Sequence, residues 1–208
     1  MILGFAHLTR STAAPNAVIA ELERDGRAVT ARRAAVPSAV QKWPLLERPA
    51  RSHELALLSG QPPIEVVSHD TGTVKADSRL SLDAARSEIA IAVRDESAVA
   101  RFYVEGLGFR AEQGTLRLDG RFPQWSVTLR LAVNPQAPLD PPLDLDGWSC
   151  LAFYATNPTA DAAHLQSVGG RDISTAFPVE WSGSRMSIVM LRDPEGTIIE
   201  LIKVLDRK

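Results

Sequence analysis

One pattern recurs three times along this chain: a strand, then a helix, then further strands. The first copy covers residues 2–70, the second residues 88–133 and the third residues 149–204. The side chains of the opening strand in each copy alternate between bulky apolar and smaller or polar residues. Because each copy has exposed strand edges that a protein must cover, the fold depends on how the three copies pair.

Capping and stop residues mark the helix of each copy. A proline or a short polar side chain, both of which suit a first turn, precedes or begins each helix at Pro15, Asp95 and Asn157. Glycines that favour a helix end follow at Gly26, Gly106 and Gly169. The segments between the copies, residues 71–87 and 134–147, are typical of surface connectors.

A tight turn and an alternating strand end the third copy. Residues 193–196 read Asp-Pro-Glu-Gly, in which proline presets the turn and glycine accepts a positive φ. In the run that follows, Glu200 shares one strand face with Ile198 and Ile202. A carboxylate on an apolar face is costly to bury unless it has a task, so Glu200 is a candidate catalytic residue.

This turn with the strand IIELIKV (residues 198–204), and the helix end ARFYVEGLGF (residues 100–109), resemble modules of the vicinal oxygen chelate superfamily. That superfamily includes glyoxalases, bleomycin-resistance proteins and extradiol dioxygenases. The resemblance extends over nearly the whole chain and is weaker in the first copy. It implies an α+β fold of three βαβββ modules, with curved mixed sheets and helices on their convex face. In the superfamily, the glutamate matching Glu200 is usually a metal ligand.

The superfamily pairs two modules into an eight-stranded, U-shaped sheet with the site in its concavity, so three modules leave one over. We expect residues 88–204 to form a paired-module domain, residues 71–87 a linker, and residues 1–70 a single module. That single module would pair with its copy in a second chain, which predicts a homodimer. Pairing of the first module with the second, or packing of the first against the paired domain in the same chain, is the alternative.

Alternation along the strands predicts which side chains face the concavity. The first ligand position of the superfamily corresponds in the three modules to His7, Glu88 and Cys150. The second ligand position corresponds to Glu65, Arg130 and Glu200. Only the first module has an intact pair, and imidazole and carboxylate ligands suit divalent Zn, Mn, Ni or Fe. His7 and Glu65 are therefore candidate metal ligands, with a pocket histidine and a solvated glutamate as the alternatives.

The other two modules predict a different kind of site. Arg130 cannot coordinate a cation and would repel one, whereas its guanidinium suits a carboxylate or phosphate. We expect Arg130 to converge with Glu88, Cys150 and Glu200 in a metal-free concavity that binds a polar or anionic small molecule. The alternatives are an ion pair between Glu88 and Arg130 and a purely apolar role for Cys150.

Aromatic side chains are candidates for the wall of this concavity. Tyr154 lies on the predicted concave face, and it would be joined there by one of Trp125, Trp148 and Trp181. Packing in the core or at the rim is the alternative for these tryptophans. We expect the remaining histidines to be surface residues, namely His53, His69 and His164.

Composition excludes several classes of function. A net charge of -2 argues against nucleic acid as a partner, because phosphate binding needs a basic surface. No apolar run is long enough to span a membrane. The single cysteine, Cys150, excludes an internal disulfide and fits a reducing cytoplasm.

The sequence therefore predicts a glyoxalase-like or bleomycin-resistance-like protein that binds a small molecule in a concave sheet, and it leaves open whether the protein is an enzyme. One hypothesis is a divalent-metal-dependent lyase or isomerase, in which the metal holds two vicinal oxygens and a glutamate moves a proton. The second is a metal-free protein that sequesters its ligand, and the third is a structural or regulatory relative that binds no small ligand. An extradiol dioxygenase is less favoured, because it needs two histidines and a glutamate around Fe(II).

Overall fold

The computed structural model describes residues 1–181 and 183–207, and three modules follow one another in it. The first module consists of β1 (Ile2–Ser11), α1 (Pro15–Arg24), β2 (Val29–Pro37), β3 (Ser52–Leu58) and β4 (Ile64–His69). The second contains β5 (Leu80–Asp83), β6 (Glu88–Val93), α2 (Glu96–Arg101), β7 (Arg110–Glu112), β8 (Thr115–Leu118) and β9 (Val127–Val133). The third consists of β10 (Gly147–Ala155), α3 (Pro158–Ser167), β11 (Phe177–Trp181), β12 (Ser184–Arg192) and β13 (Ile198–Arg207).

Short helical turns complete these elements. Residues Phe102–Gly106 extend α2 as a wider π-helical turn, and two 3-10 helices occupy Val40–Leu45 and Pro123–Trp125. The predicted caps are present, since the side chains of Asp95 and Asn157 accept hydrogen bonds from backbone amides in the first turns of α2 and α3. No helix in the described part of the chain is long and apolar enough to cross a membrane.

The first and third modules pair with each other. Their strands form one eight-stranded sheet in the order β11-β12-β13-β10-β1-β4-β3-β2, with β1 antiparallel to β10 at its centre. The prediction of a paired domain over residues 88–204 is therefore wrong, and so is the pairing of the first module with a second chain. Neither of the alternatives considered from the sequence anticipated this pairing between the modules furthest apart in the chain.

The second module forms its own sheet, in the order β5-β6-β9-β8-β7. Strand β5 lies in the segment 71–87 that was predicted to be a linker, and it pairs antiparallel with β6. It thus covers the edge of β6 at which another module would otherwise pair. The need to protect that edge is met within the chain.

One large hydrophobic core joins the two sheets. It contains the convex-facing side chains of β1 and β10, the inner face of the second module's sheet, and the apolar faces of α2 and α3. Helix α1 covers the remaining convex surface of the first module. The sheets are curved and mixed, and their helices lie on the convex side, as the sequence motifs predicted.

A β-bulge in β1 changes which side chains face the concavity. The pairing of β1 with β10 shifts between Phe5, opposite Phe153, and His7, opposite Ala152, so Ala6 is the extra residue. Phe5 consequently enters the large core while Ala6 packs against Ala152 on the other face. The sequence prediction that Phe5 and His7 share a face is wrong, because simple alternation does not account for a bulge.

The Asp-Pro-Glu-Gly turn attaches the third module to the second. The Asp193 carboxylate accepts hydrogen bonds from the backbone amides of Glu195 and Thr197 within the turn. The Glu195 carboxylate accepts hydrogen bonds from the backbone amides of Arg94 and Asp95 at the start of α2, and it pairs with the buried guanidinium of Arg79. The Glu195 side chain thus links the turn to the start of α2 and to the segment before β5.

Replacing Glu195 with alanine should lower the free energy of unfolding by about 3–5 kcal/mol, because it leaves the buried Arg79 guanidinium without its counter-charge. Urea unfolding followed by circular dichroism measures this loss. The matched control is Glu105→Ala, which removes an exposed helix pair with Arg101 and should cost less than about 1 kcal/mol. Equal effects of the two substitutions would contradict a structural role for Glu195.

Candidate metal centre

Three ionisable side chains meet in the concavity of the eight-stranded sheet. The Nε2 atom of His7 lies 3.4 Å from Oε2 of Glu65 and 3.6 Å from Oε2 of Glu200. One donor atom from each residue lies within 4.8 Å of the others. His7 is only 8% exposed and Glu200 only 6% exposed, so water screens this cluster little.

Strand pairing explains why these residues meet. Strand β4 runs parallel to β1 and places Glu65 beside Thr9, while β13 runs parallel to β10 and places Glu200 beside Ala152. The two glutamates therefore occupy equivalent positions in the two paired modules. His7 lies on the central strand β1 with regular pairing up to Thr9, so it shares the concave face of Thr9 and points towards the two glutamates.

The geometry fits a small divalent cation. A cation about 2.1 Å from its ligand atoms holds them about 3.4 Å apart in a tetrahedron, which is close to the two separations observed around His7 Nε2. Nε2 is buried and has no hydrogen-bond partner within normal geometry among the described residues. One imidazole nitrogen and two carboxylates are a donor set that Zn, Mn, Ni or Fe accepts.

Without a cation, a protonated His7 supplies the positive charge that the two carboxylates need. Burial lowers the pKa of His7, but the carboxylates of Glu65 and Glu200 outweigh it and raise that pKa from 6.5 to about 10. Burial raises the pKa of Glu65, yet His7 and Lys42 bring it down to about 2. At neutral pH His7 is therefore an imidazolium paired with carboxylates, and a metal must displace its proton.

Cys150 holds the position in the third module that His7 holds in the first. His7 lies two residues before Thr9, which pairs with Glu65, and Cys150 lies two residues before Ala152, which pairs with Glu200. Burial, followed by the two nearby carboxylates, raises the pKa of the Cys150 thiol well above its usual range. Cys150 is thus a neutral, buried thiol beside the three-residue cluster and is not part of it.

The cavity over the cluster has apolar walls and one aromatic side chain. Tyr154 lies beside His7 and Glu200 in a cavity of about 70 Å³. Its ring lies against Trp125, with 4.6 Å between the ring centroids. Trp148 instead contacts Arg10 and packs against the convex-side cores, and the side chain of Trp181 lies outside the described residues.

The segment between β2 and β3 closes one end of the concavity. Leu45, Leu46 and Ala50 pack there against Cys150 and Met190. The 3-10 helix in this segment also brings the Lys42 side chain into the cavity. No motif in the sequence singled out this lysine, because its position depends on the path of a long connection.

His53 and His69 also line the cavity, so the prediction that they are surface residues is wrong. They are directly paired across β3 and β4, on the same strand faces as Leu55 and Glu65. Alternation from Glu65 to His69 was the sequence signal that could have found them. Burial and then the Lys42 charge lower the pKa of His53 to about 3 and that of His69 to about 4, so both rings are neutral. The His164 ring lies near the backbone carbonyl of Glu105 on the surface.

Glu88 and Arg130 do not reach this cavity. They lie in the five-stranded sheet, where Arg130 Nε donates to Glu88 Oε1 at 2.8 Å. The prediction that they converge with Cys150 and Glu200 is therefore wrong, because the third module pairs with the first. The ion pair considered as the alternative is what forms, and the guanidinium that argued against a cation is absent from the Glu200 site.

The strand order and the two facing βαβββ modules are those of the vicinal oxygen chelate fold. No family model matches the sequence, and no curated protein matches it. Among solved structures, glyoxalase I from Zea mays is 16% identical with a TM-score of 0.41, over 96% of this chain and 67% of that chain.

Two shorter structures are similar over about half of this chain. A glyoxalase family protein from Enterococcus faecalis is 26% identical with a TM-score of 0.40, over 55% of this chain and 94% of that one. A glyoxalase/bleomycin resistance protein from Albidiferax ferrireducens is 22% identical with a TM-score of 0.40, over 55% and 93%.

Divalent-cation affinity should rise about tenfold per pH unit between pH 6 and 8, because His7 must release one proton before it binds a cation. Calorimetric titration with Zn²⁺ or Mn²⁺ in buffers of different ionisation enthalpy measures the affinity and the proton release together. The His7→Gln variant should lose the pH dependence along with tight binding. A pH-independent affinity in the unmodified protein would show that His7 is not a ligand.

Proposed function

We propose that this protein is a divalent-metal-dependent lyase or isomerase of the glyoxalase type. Its substrate would be a small molecule with two adjacent oxygen atoms. The observation that carries the proposal is the buried cluster of His7, Glu65 and Glu200, whose orphaned imidazole nitrogen faces two carboxylates. Zn, Mn, Ni and Fe all suit these ligands.

The cation and the residues around it would have different roles in the reaction. A bound cation would act as a Lewis acid that polarises the substrate oxygens. Glu200 would take the proton from the carbon next to those oxygens through a carboxylate oxygen and return it at a neighbouring atom. Leu57, Val179 and Ile202 line the same cavity and would exclude water while the proton is held.

A metal-free, ligand-sequestering protein is the second candidate. The protonated His7 supports it, because an imidazolium between two carboxylates offsets part of their charge without any cation. In that case the cavity beside Tyr154 would bind a small polar molecule and no bond would change. An extradiol dioxygenase stays less favoured, since His7 is the only histidine in the donor group found among the described residues.

The oligomeric state of the protein and its location in the cell stay predictions. The first module pairs within the chain, which removes the reason for expecting a homodimer, and sedimentation at micromolar concentration would decide the oligomeric state. The buried thiol of Cys150 suits a cytoplasmic location, which is likewise untested.

Purified without chelator, the protein should contain about one divalent ion per chain, because the described residues contain one donor cluster. His7→Gln and Glu200→Gln should each weaken binding about hundredfold or more, because each removes a ligand of the cluster. Glu54→Gln is the control, since Glu54 lies in the first module but pairs with Arg32 at the surface. Elemental analysis and Zn²⁺ titration measure these effects.

The same variants test whether chemistry occurs. Incubated in D₂O with dihydroxyacetone, a minimal compound with adjacent oxygens, the metal-loaded protein should exchange carbon-bound protons, as NMR would show. Glu200→Gln should abolish the exchange and Glu54→Gln should not. Metal uptake without any exchange would favour a binding role, and the absence of metal uptake would favour the sequestering protein.

A further inference from the structure

The deep end of the cavity holds a second group of polar side chains that the proposed chemistry does not use. His53, His69 and Lys42 line a pocket of about 20 Å³ that is continuous with the metal cluster through Glu65 and Glu200. The two histidine rings stand 6.0 Å apart, centroid to centroid. They belong to paired strands, so their separation is fixed by the sheet.

Both histidines have buried ring nitrogens without a hydrogen-bond partner in the described part of the chain. His53 is 5% exposed and His69 is 6% exposed, yet Nδ1 of His53 and both ring nitrogens of His69 have no hydrogen-bond partner among the described residues. A neutral imidazole carries one N–H in either tautomer. A buried polar group without a partner costs about 1–3 kcal/mol, so a ligand that accepts from these rings would recover that free energy.

Lys42 adds a positive charge to the same pocket. Its ammonium lies 5.7 Å from the centroid of the Phe177 ring, and it forms no ion pair in the part of the chain that the structure describes. A third donor with a full charge beside two imidazole rings favours an anion. It also disfavours a second metal ion there, and among the described residues neither histidine belongs to a group of three ligand atoms that lie within 4.8 Å of one another.

The size of the pocket selects among anions. A cavity of about 20 Å³ has room for little more than one water-sized group. A flat carboxylate, with two oxygens that can accept from separate donors, fits such a space better than a tetrahedral phosphate or sulfonate.

We propose that Lys42, His53 and His69 form a carboxylate subsite, and that the substrate is a small carboxylic acid whose adjacent oxygens lie apart from that carboxylate. The identification of the substrate class depends on the proposed metal-dependent function. The subsite itself is independent of that function and can be tested separately.

Acetate is the probe for the subsite. Added to protein labelled with ¹⁵N-histidine, it should shift the ring signals of His53 and His69, and the shifts should saturate. Lys42→Met should weaken this binding about tenfold or more, because it removes the charged donor of the subsite. Lys203→Met is the matched control, since Lys203 is exposed on β13, next to Ile202 whose side chain faces the concavity, and should leave acetate binding unchanged.

A further comparison sharpens the test. Methylphosphonate should bind more weakly than acetate. If Lys42→Met fails to fold, Lys42→Arg and His69→Gln replace it: the first should keep acetate binding and the second should weaken it.

Three results would overturn the subsite: no shift of either histidine with acetate, binding that Lys42→Met leaves unchanged, or Zn²⁺ binding at His53 and His69 in the His7→Gln variant. If the protein takes up no metal but acetate still shifts both rings through Lys42, the proposed function fails and the subsite stands.

Discussion

The antiparallel pairing of β1 with β10 is the interaction on which the rest of the structure depends. It joins two modules that lie about 145 residues apart in the chain into one eight-stranded sheet, so their last strands bring Glu65 and Glu200 to opposite sides of one concavity. It also presents a continuous convex face against which the second module and α3 pack. Regular pairing from His7 to Thr9 keeps His7 on the same face as the two carboxylates, while the bulge before it turns Phe5 into the core.

Electrostatics governs what the concavity can hold. Two buried carboxylates cannot remain charged there without a counter-charge, and His7 supplies it as an imidazolium when no cation is bound. A divalent ion would take over that role and release the proton. Lys42 and the neutral His53 and His69 then make the far end of the same cavity suited to an anion, so one small volume provides two complementary polar regions.

The second module is stable without pairing to another βαβββ module. Strand β5 covers the edge at which a partner would pair, and the sheet contributes its apolar face to the common core. Glu195 fixes the attachment by accepting from the start of α2 and pairing with Arg79. The residues of the second module at the two ligand positions, Glu88 and Arg130, form an ion pair with each other at the surface of the sheet.

Local sequence determined the modules, their helix caps, the turn before β13 and the strand faces of Glu65 and Glu200, because turns and side-chain alternation follow from neighbouring residues. Tertiary structure alone decided which modules pair, since all three carry compatible edges and the choice depends on how their convex faces share one core. It also decided that Arg130 stays away from Glu200, that Phe5 turns inward at a bulge, and that Lys42 reaches the cavity. Those outcomes come from contacts between residues far apart in the chain, which no local pattern encodes.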